Sequence, residues 1–127
     1  LIRFSLDKTR RVRIATFEGE IDDAQLFDAY KKLMAADDYD PTLHHLADMR
    51  AVEKFGVTSA GLRQLVGSFI NLNKLGLRTK LAIVTAKDDV YGMARMYQTF
   101  RSNAPQDPRV FRDIKEAETW LALPSTE

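Results

Sequence analysis

The stretch Lys80–Phe100, KLAIVTAKDDVYGMARMYQTF, decides the fold. Leu81, Ala82, Ile83 and Val84 form an unbroken apolar run, the mark of a strand buried on both faces rather than one with a wet face. Lys87, Asp88 and Asp89 turn the chain through a charged corner. Val90, Met93, Met96, Tyr97 and Phe100 then recur at helical spacing, so a helix follows with one apolar side. A strand, a tight corner and an amphipathic helix in this order place the chain in the α/β class with a mostly parallel sheet.

Working outward toward the N-terminus, Ile2, Phe4 and Leu6 alternate with Arg3, Ser5 and Asp7, the period of a half-buried strand. Val12, Ile14 and Thr16 alternate with Arg11, Arg13 and Ala15 after a short polar connector, which predicts an antiparallel hairpin ended by Gly19. Asp22 and Asp23 are candidate caps for a first helix carrying Leu26, Tyr30, Leu33 and Met34. Pro41 stops the acidic loop after it. Leu43–Ala47 reads as a third strand, followed by an irregular stretch as far as Val57. Thr58 or Ser59 opens a second helix through Leu62, Leu65, Val66, Phe69 and Ile70, closed by Gly76. Beyond Phe100, Arg109, Val110 and Phe111 make a short edge strand. Asp113 caps a last helix with Ala117, Trp120 and Leu121 facing inward. The expected architecture is a singly wound β-α superhelix: a five-stranded mixed sheet, antiparallel only at its N-terminal hairpin, with four main helices on one face. The other face is expected to show Arg3, Ser5, Arg13 and Ala15.

The 127 residues make one domain, 1–127, long enough to bury a core without staples. A net charge of +1 offers no global field for nucleic acid or an anionic membrane. The absence of cysteine removes disulfides, thiolate nucleophiles and zinc–thiolate sites, and permits a reducing cytoplasm. No apolar run is long enough to span a membrane.

Few constellations point to chemistry. His44 and His45 are adjacent on a strand and face opposite ways, so they do not ligate one metal together. Asp37, Asp38 and Asp40 lack the glycine and terminal glutamate of a calcium loop. The methionines and aromatics of the third helix read as core. Arg10, Arg11 and Arg13 form a short basic cluster without interleaved aromatics, better suited to a solvated strand edge than to nucleic acid. The carboxyl ends of the third and fourth strands gather Arg50, Lys87, Tyr91 and Arg95, candidates for an anion or ligand near helix N-termini. No glycine-rich phosphate loop, nucleophile elbow or HExxH helix is present. No catalytic residue, metal or cofactor is therefore expected.

Nearly the whole chain resembles the SpoIIAA-like domains of the STAS superfamily, in particular small bacterial STAS/SEC14-domain proteins. The resemblance rests on RVRIATFEGEI, ADMRAV, TSAGL, the Lys80–Phe100 stretch and RVFRD with AETWL. It implies the singly wound fold, a cytoplasmic location, and a non-catalytic module that binds a protein partner or itself through Thr58, Ser59 and Gly61. In anti-sigma-factor antagonists of this superfamily a serine directly before the motif glycine is phosphorylated, and the added charge switches binding off. Ala60 occupies that place here, with Ser59 matching only the neighbouring serine, so the resemblance implies that the phosphoswitch is lost. The alternative is a small-molecule or lipid-binding domain of SEC14-like kind, with Met93, Met96, Tyr97 and Phe100 lining a cavity. An enzyme acting on an anion at Arg50, Lys87 and Arg95 is the least favoured reading.

Overall fold

The alternating N-terminal segments form β1 (Ile2–Asp7) and β2 (Val12–Asp22), which pair antiparallel with Phe4 opposite Ala15. The computed structural model describes residues 1–68, 79–100 and 106–123. After the hairpin come α1 (Asp23–Ala35), β3 (His44–Gly56), α2 (Ser59–Ser68), β4 (Thr79–Val84), α3 (Asp88–Phe100), β5 (Gln106–Phe111) and α4 (Ile114–Ala122). The five strands lie side by side in chain order, β2 to β5 all parallel. This is the expected mixed sheet. The expected helix residues Phe69 and Ile70, the closing Gly76, and the side chains of Val66 and Phe100 lie outside the described part.

Two apolar clusters sandwich the sheet. Leu26 and Tyr30 of α1, Leu62 and Leu65 of α2, and Val90, Ala94 and Tyr97 of α3 pack on Ala15, Phe17, Ala47, Leu81 and Ile83. Ala117, Trp120 and Leu121 of α4 pack instead with Val12, Leu46, Ala82 and Val84. The expectation of four helices on one face is therefore corrected: three lie on one face and α4 covers the other. The cause is in β4 itself. Alternate residues of a strand point to opposite faces, so Leu81 and Ile83 need one cover while Ala82 and Val84 need another.

The same layout reverses the expected facing of β2. Val12 lies in the α4 cluster and Ile14 packs against it, whereas Arg13, Ala15 and Phe17 face the three-helix layer. Both faces of β2 are covered, so its apolar alternation did not mark a single inside. The stretch from Asp48 to Gly56 is also strand rather than irregular. It continues beside β2, with Ala51 opposite Glu18 and Phe55 opposite Ile21. Register shifts between Thr16 and Glu18 and between Gly19 and Glu20 break the two-residue period there. Gly19 takes a φ of +72° at this irregularity, which costs glycine nothing.

Lys80 fastens α4. Its Nζ donates to the carbonyl oxygen of Trp120 at 2.8 Å, which also accepts from Leu123 N–H, and to that of Leu123 at 2.5 Å, just past the helix end. Burial, and then the charge of Arg109, hold the amine below the ordinary lysine pKa. Lys80→Met keeps the stem and loses both bonds. We expect it to lower unfolding free energy by about 2 kcal/mol, the usual worth of charge-assisted bonds to buried acceptors, as read by urea denaturation.

Candidate functional site

A cavity of about 80 Å³ lies between the sheet and the three-helix layer. Most of its wall is apolar, from Phe17, Leu26, Leu62, Leu81, Ile83 and Tyr97 among others. Tyr39, Asp40 and Pro41, all half-buried in the loop before β3, belong to the same lining. Such a cavity is smaller than one that takes a benzene-sized guest, roughly 150 Å³, and larger than a single water needs.

Tyr39, Asp40, Thr79 and Tyr97 bring polar atoms to this lining, and so do three further side chains, Tyr30, His45 and Arg13. Tyr30 Oη and His45 Nε2 are hydrogen-bonded at 2.8 Å, both residues buried. Phe4 stands edge-on to Tyr30, ring centroids 5.4 Å apart. Burial first, and then the positive charge of Arg13, push His45 down to about 3, so its ring is neutral at physiological pH. Burial raises the Tyr30 hydroxyl above its usual range, leaving it a neutral hydrogen-bonding group. Arg13 is the third. It is 8% exposed, and its guanidinium carbon lies 5.4 Å from the centre of the Tyr39 ring. Among the described residues it makes no hydrogen bond or ion pair. Nearby Asp40 accepts from the Thr42 hydroxyl and N–H and lies 3.8 Å from Arg11; the Thr42 bonds chiefly hold its carboxyl below the usual range.

The residues expected at the carboxyl ends of the strands are dispersed. Arg50 is held by Asp48 through two bonds of 2.9 and 2.8 Å, and this pairing lowers the carboxylate and raises the guanidinium. Lys87 Nζ donates to the Glu53 carbonyl at 2.9 Å. Tyr91 lies under Arg112, 4.1 Å from ring centre to guanidinium carbon, and Arg112 also pairs with Asp88 at 2.9 Å. Arg95 is exposed on α3. Among the described residues no hydrogen bond, ion pair or ring contact joins these four to one another.

The start of α2 is built as a clamp. Thr58 caps the helix: its hydroxyl accepts from Gly61 N–H at 3.0 Å. Asp23 ties it to α1, accepting from Thr58 N–H at 2.8 Å and from the Thr58 hydroxyl at 2.6 Å. Asp22 does the capping of α1, accepting from Gln25 N–H at 2.8 Å, which leaves Asp23 for this cross-link. Gly61 lies so close to the Asp23 carboxylate that a side chain there would overlap it. Ser59 and Ala60 are exposed beside the clamp.

The sequence reading missed Arg13, Tyr30, Tyr39 and His45 as a group because they come from four elements. One signal was present: His44 and His45 were expected on opposite faces. They are, His45 toward Tyr30 and His44 accepting from Lys80 N–H at 2.9 Å.

Among the described residues no group of three or more histidine or carboxylate side chains is gathered as a metal would need. No helix there is long and apolar enough to cross a membrane. No protein-family model and no curated protein matches the sequence. An uncharacterised protein of the DUF3478 family with a SpoIIAA-like fold, from Shewanella loihica PV-4, superposes on the chain with a TM-score of 0.58 at 14% identity, over 95% of this chain and 92% of that one. Residue identity that low speaks to architecture only: the chain has the SpoIIAA-like fold.

Proposed function

We propose that the protein is a non-catalytic binding module whose cavity takes a short-chain carboxylic acid, a guest smaller than benzene. The observation that carries this reading is Arg13, a buried guanidinium at the wall of a largely apolar cavity that has no hydrogen-bonding partner among the described residues and only the field of nearby Asp40 to offset its charge. A buried charge left unpaired is costly. A carboxylate on the guest would supply the fork-shaped partner that a guanidinium fits best. Tyr30 and His45 are neutral and add a polar contact without competing for the anion.

Native mass spectrometry of gently purified protein should show a co-purifying mass that Arg13→Met loses. In thermal melts, a short alkyl carboxylate should raise the melting temperature of the wild type, its methyl ester should not, and Arg13→Met should respond to neither. The same substitution should make the ligand-free protein more stable by about 1 kcal/mol, because it removes a buried charge that only the field of Asp40 and the Tyr39 ring offset. A ligand-free Arg13→Met variant less stable than wild type would count against the reading.

The exposed Ser59 and Ala60, held in place by the Asp23 clamp, favour a second reading in which the start of α2, with Thr58 and Gly61 shaping it, meets a protein partner. Ala60 stands where the resembling domains carry their phosphoserine. Mass spectrometry of cell-purified protein is expected to find Ser59 unmodified.

A further inference from the structure

Among the described residues no strand pairs with the outer edge of β1. The other edge, β5, carries Pro108, which has no N–H to offer. β1 runs six residues, Ile2–Asp7, without proline, glycine or bulge. An edge of this kind is a template for strand pairing unless something covers it.

Its hydrogen-bonding parity can be read directly. Leu1 and Glu18 exchange both backbone bonds, at 2.9 and 2.8 Å. In an antiparallel ladder such pairs alternate with non-bonded pairs. Arg3, Ser5 and Asp7 therefore point their backbone groups at β2, while Ile2, Phe4 and Leu6 point theirs outward. The side chains alternate too: Phe4 and Ile2 pack against the three-helix cluster, and Arg3, Ser5 and Asp7 lie on the opposite face.

We propose that β1 pairs antiparallel with β1 of a second copy, with Ser5 on the two-fold axis. The segment Arg3-Phe4-Ser5-Leu6-Asp7 is complementary to its own reverse. In this register Arg3 meets the partner's Asp7, Phe4 meets the partner's Leu6, and Ser5 meets the partner's Ser5. Backbone bonds then fall on Phe4 and Leu6, whose groups point outward, so charge and parity select the same register. A shift of two residues either way separates Arg3 from the partner's Asp7. Leu6, 45% exposed in one copy, gains an apolar neighbour. Arg3 already reaches Glu18, yet its side chain is 63% exposed and a guanidinium has donors to spare. Asp7 accepts from Arg10 N–H at 3.1 Å and keeps further acceptor capacity. Above the strand, Asp28, Ala29 and Lys32 of α1 border the same edge, with small Ala29 between opposite charges. That stripe is also compatible with its reversed copy. This inference stands apart from the cavity reading and survives its failure.

The chain has no cysteine, which makes the test clean. Residues opposite each other in a non-bonded antiparallel pair have Cα atoms about 4.5 Å apart, within disulfide reach. Ser5→Cys should therefore oxidise to a covalent dimer, while Glu20→Cys, exposed elsewhere on β2, should stay monomeric under the same conditions. In sedimentation the wild type should run as a dimer and Leu6→Pro as a folded monomer, since the N–H lost there is one that β2 does not use. Monomeric wild type across the concentration range, or equal cross-linking of the two cysteine variants, overturns the proposal. Should Leu6→Pro fail to fold, the cysteine comparison decides by itself.

Discussion

Lowering the pH from 6.5 to about 4.5 should cost this protein about 2 kcal/mol of folding stability through His45 alone. The ring titrates near 6.5 when unfolded and at about 3 when folded, because the folded protein buries it beside Arg13. Between those values the unfolded chain binds a proton that the folded one refuses. Stability is therefore complete above the unfolded value and falls by about 1.4 kcal/mol per pH unit as the medium is acidified toward the folded value. His44 is lowered as well, by burial and then by Lys80 and Arg11, so it adds a slope of the same sign. Asp48 is lowered by its Arg50 hydrogen bond and contributes further down, around and below its ordinary value of 3.8. The measurement is a set of urea denaturations between about pH 4.5 and pH 7. His45→Gln, which still offers Tyr30 a polar partner, should flatten most of the slope, and His44→Gln less of it. A wild-type profile without slope in that window, or one that His45→Gln leaves unchanged, would show that the ring is not buried as described.

Gly61→Ala should destabilise the protein by about 3 kcal/mol, far more than an ordinary helix substitution, which would if anything gain from alanine. The new methyl group would fall on the Asp23 carboxylate. That carboxylate has no easy escape: moving it orphans the Thr58 N–H and hydroxyl, held at 2.8 and 2.6 Å. Asp23→Ala alone should cost about 2 kcal/mol by the same loss. With Asp23 already removed, however, Gly61→Ala should be neutral or gain up to about 1 kcal/mol from helix propensity. The double-mutant cycle should thus show a coupling of about 3 kcal/mol. Additive effects would mean that glycine is required for some other reason. The outcome also bears on the second functional reading, since the same clamp holds the exposed start of α2.

The Asp23 clamp shows why spacing alone did not reveal the sites. TSAGL reads locally as a helix start, and Thr58 is indeed the cap. Asp23 lies 35 positions earlier, and only the packing of α1 against α2 brings them together. The cavity is similar: Arg13 from β2, Tyr30 from α1, Tyr39 from a loop and His45 from β3 share no local pattern. Alternation alone puts Arg13 on the open face if Val12 and Ile14 form the inner set. Alternation tells that two sets of side chains diverge, not which set a helix covers.

By itself the sequence determined the element types, the antiparallel start, the parallel remainder and the order of strands, because these follow from local periodicity and from short connections between neighbours. It also determined that β4 is apolar on both sides. Only the tertiary structure decided that α4 would supply the second cover, that β3 would run on beside β2 past its bulges, and that a buried arginine would face a cavity. Those outcomes depend on how much apolar area each face leaves uncovered once the other elements have docked. That is a sum over distant residues, and no single stretch of chain contains it.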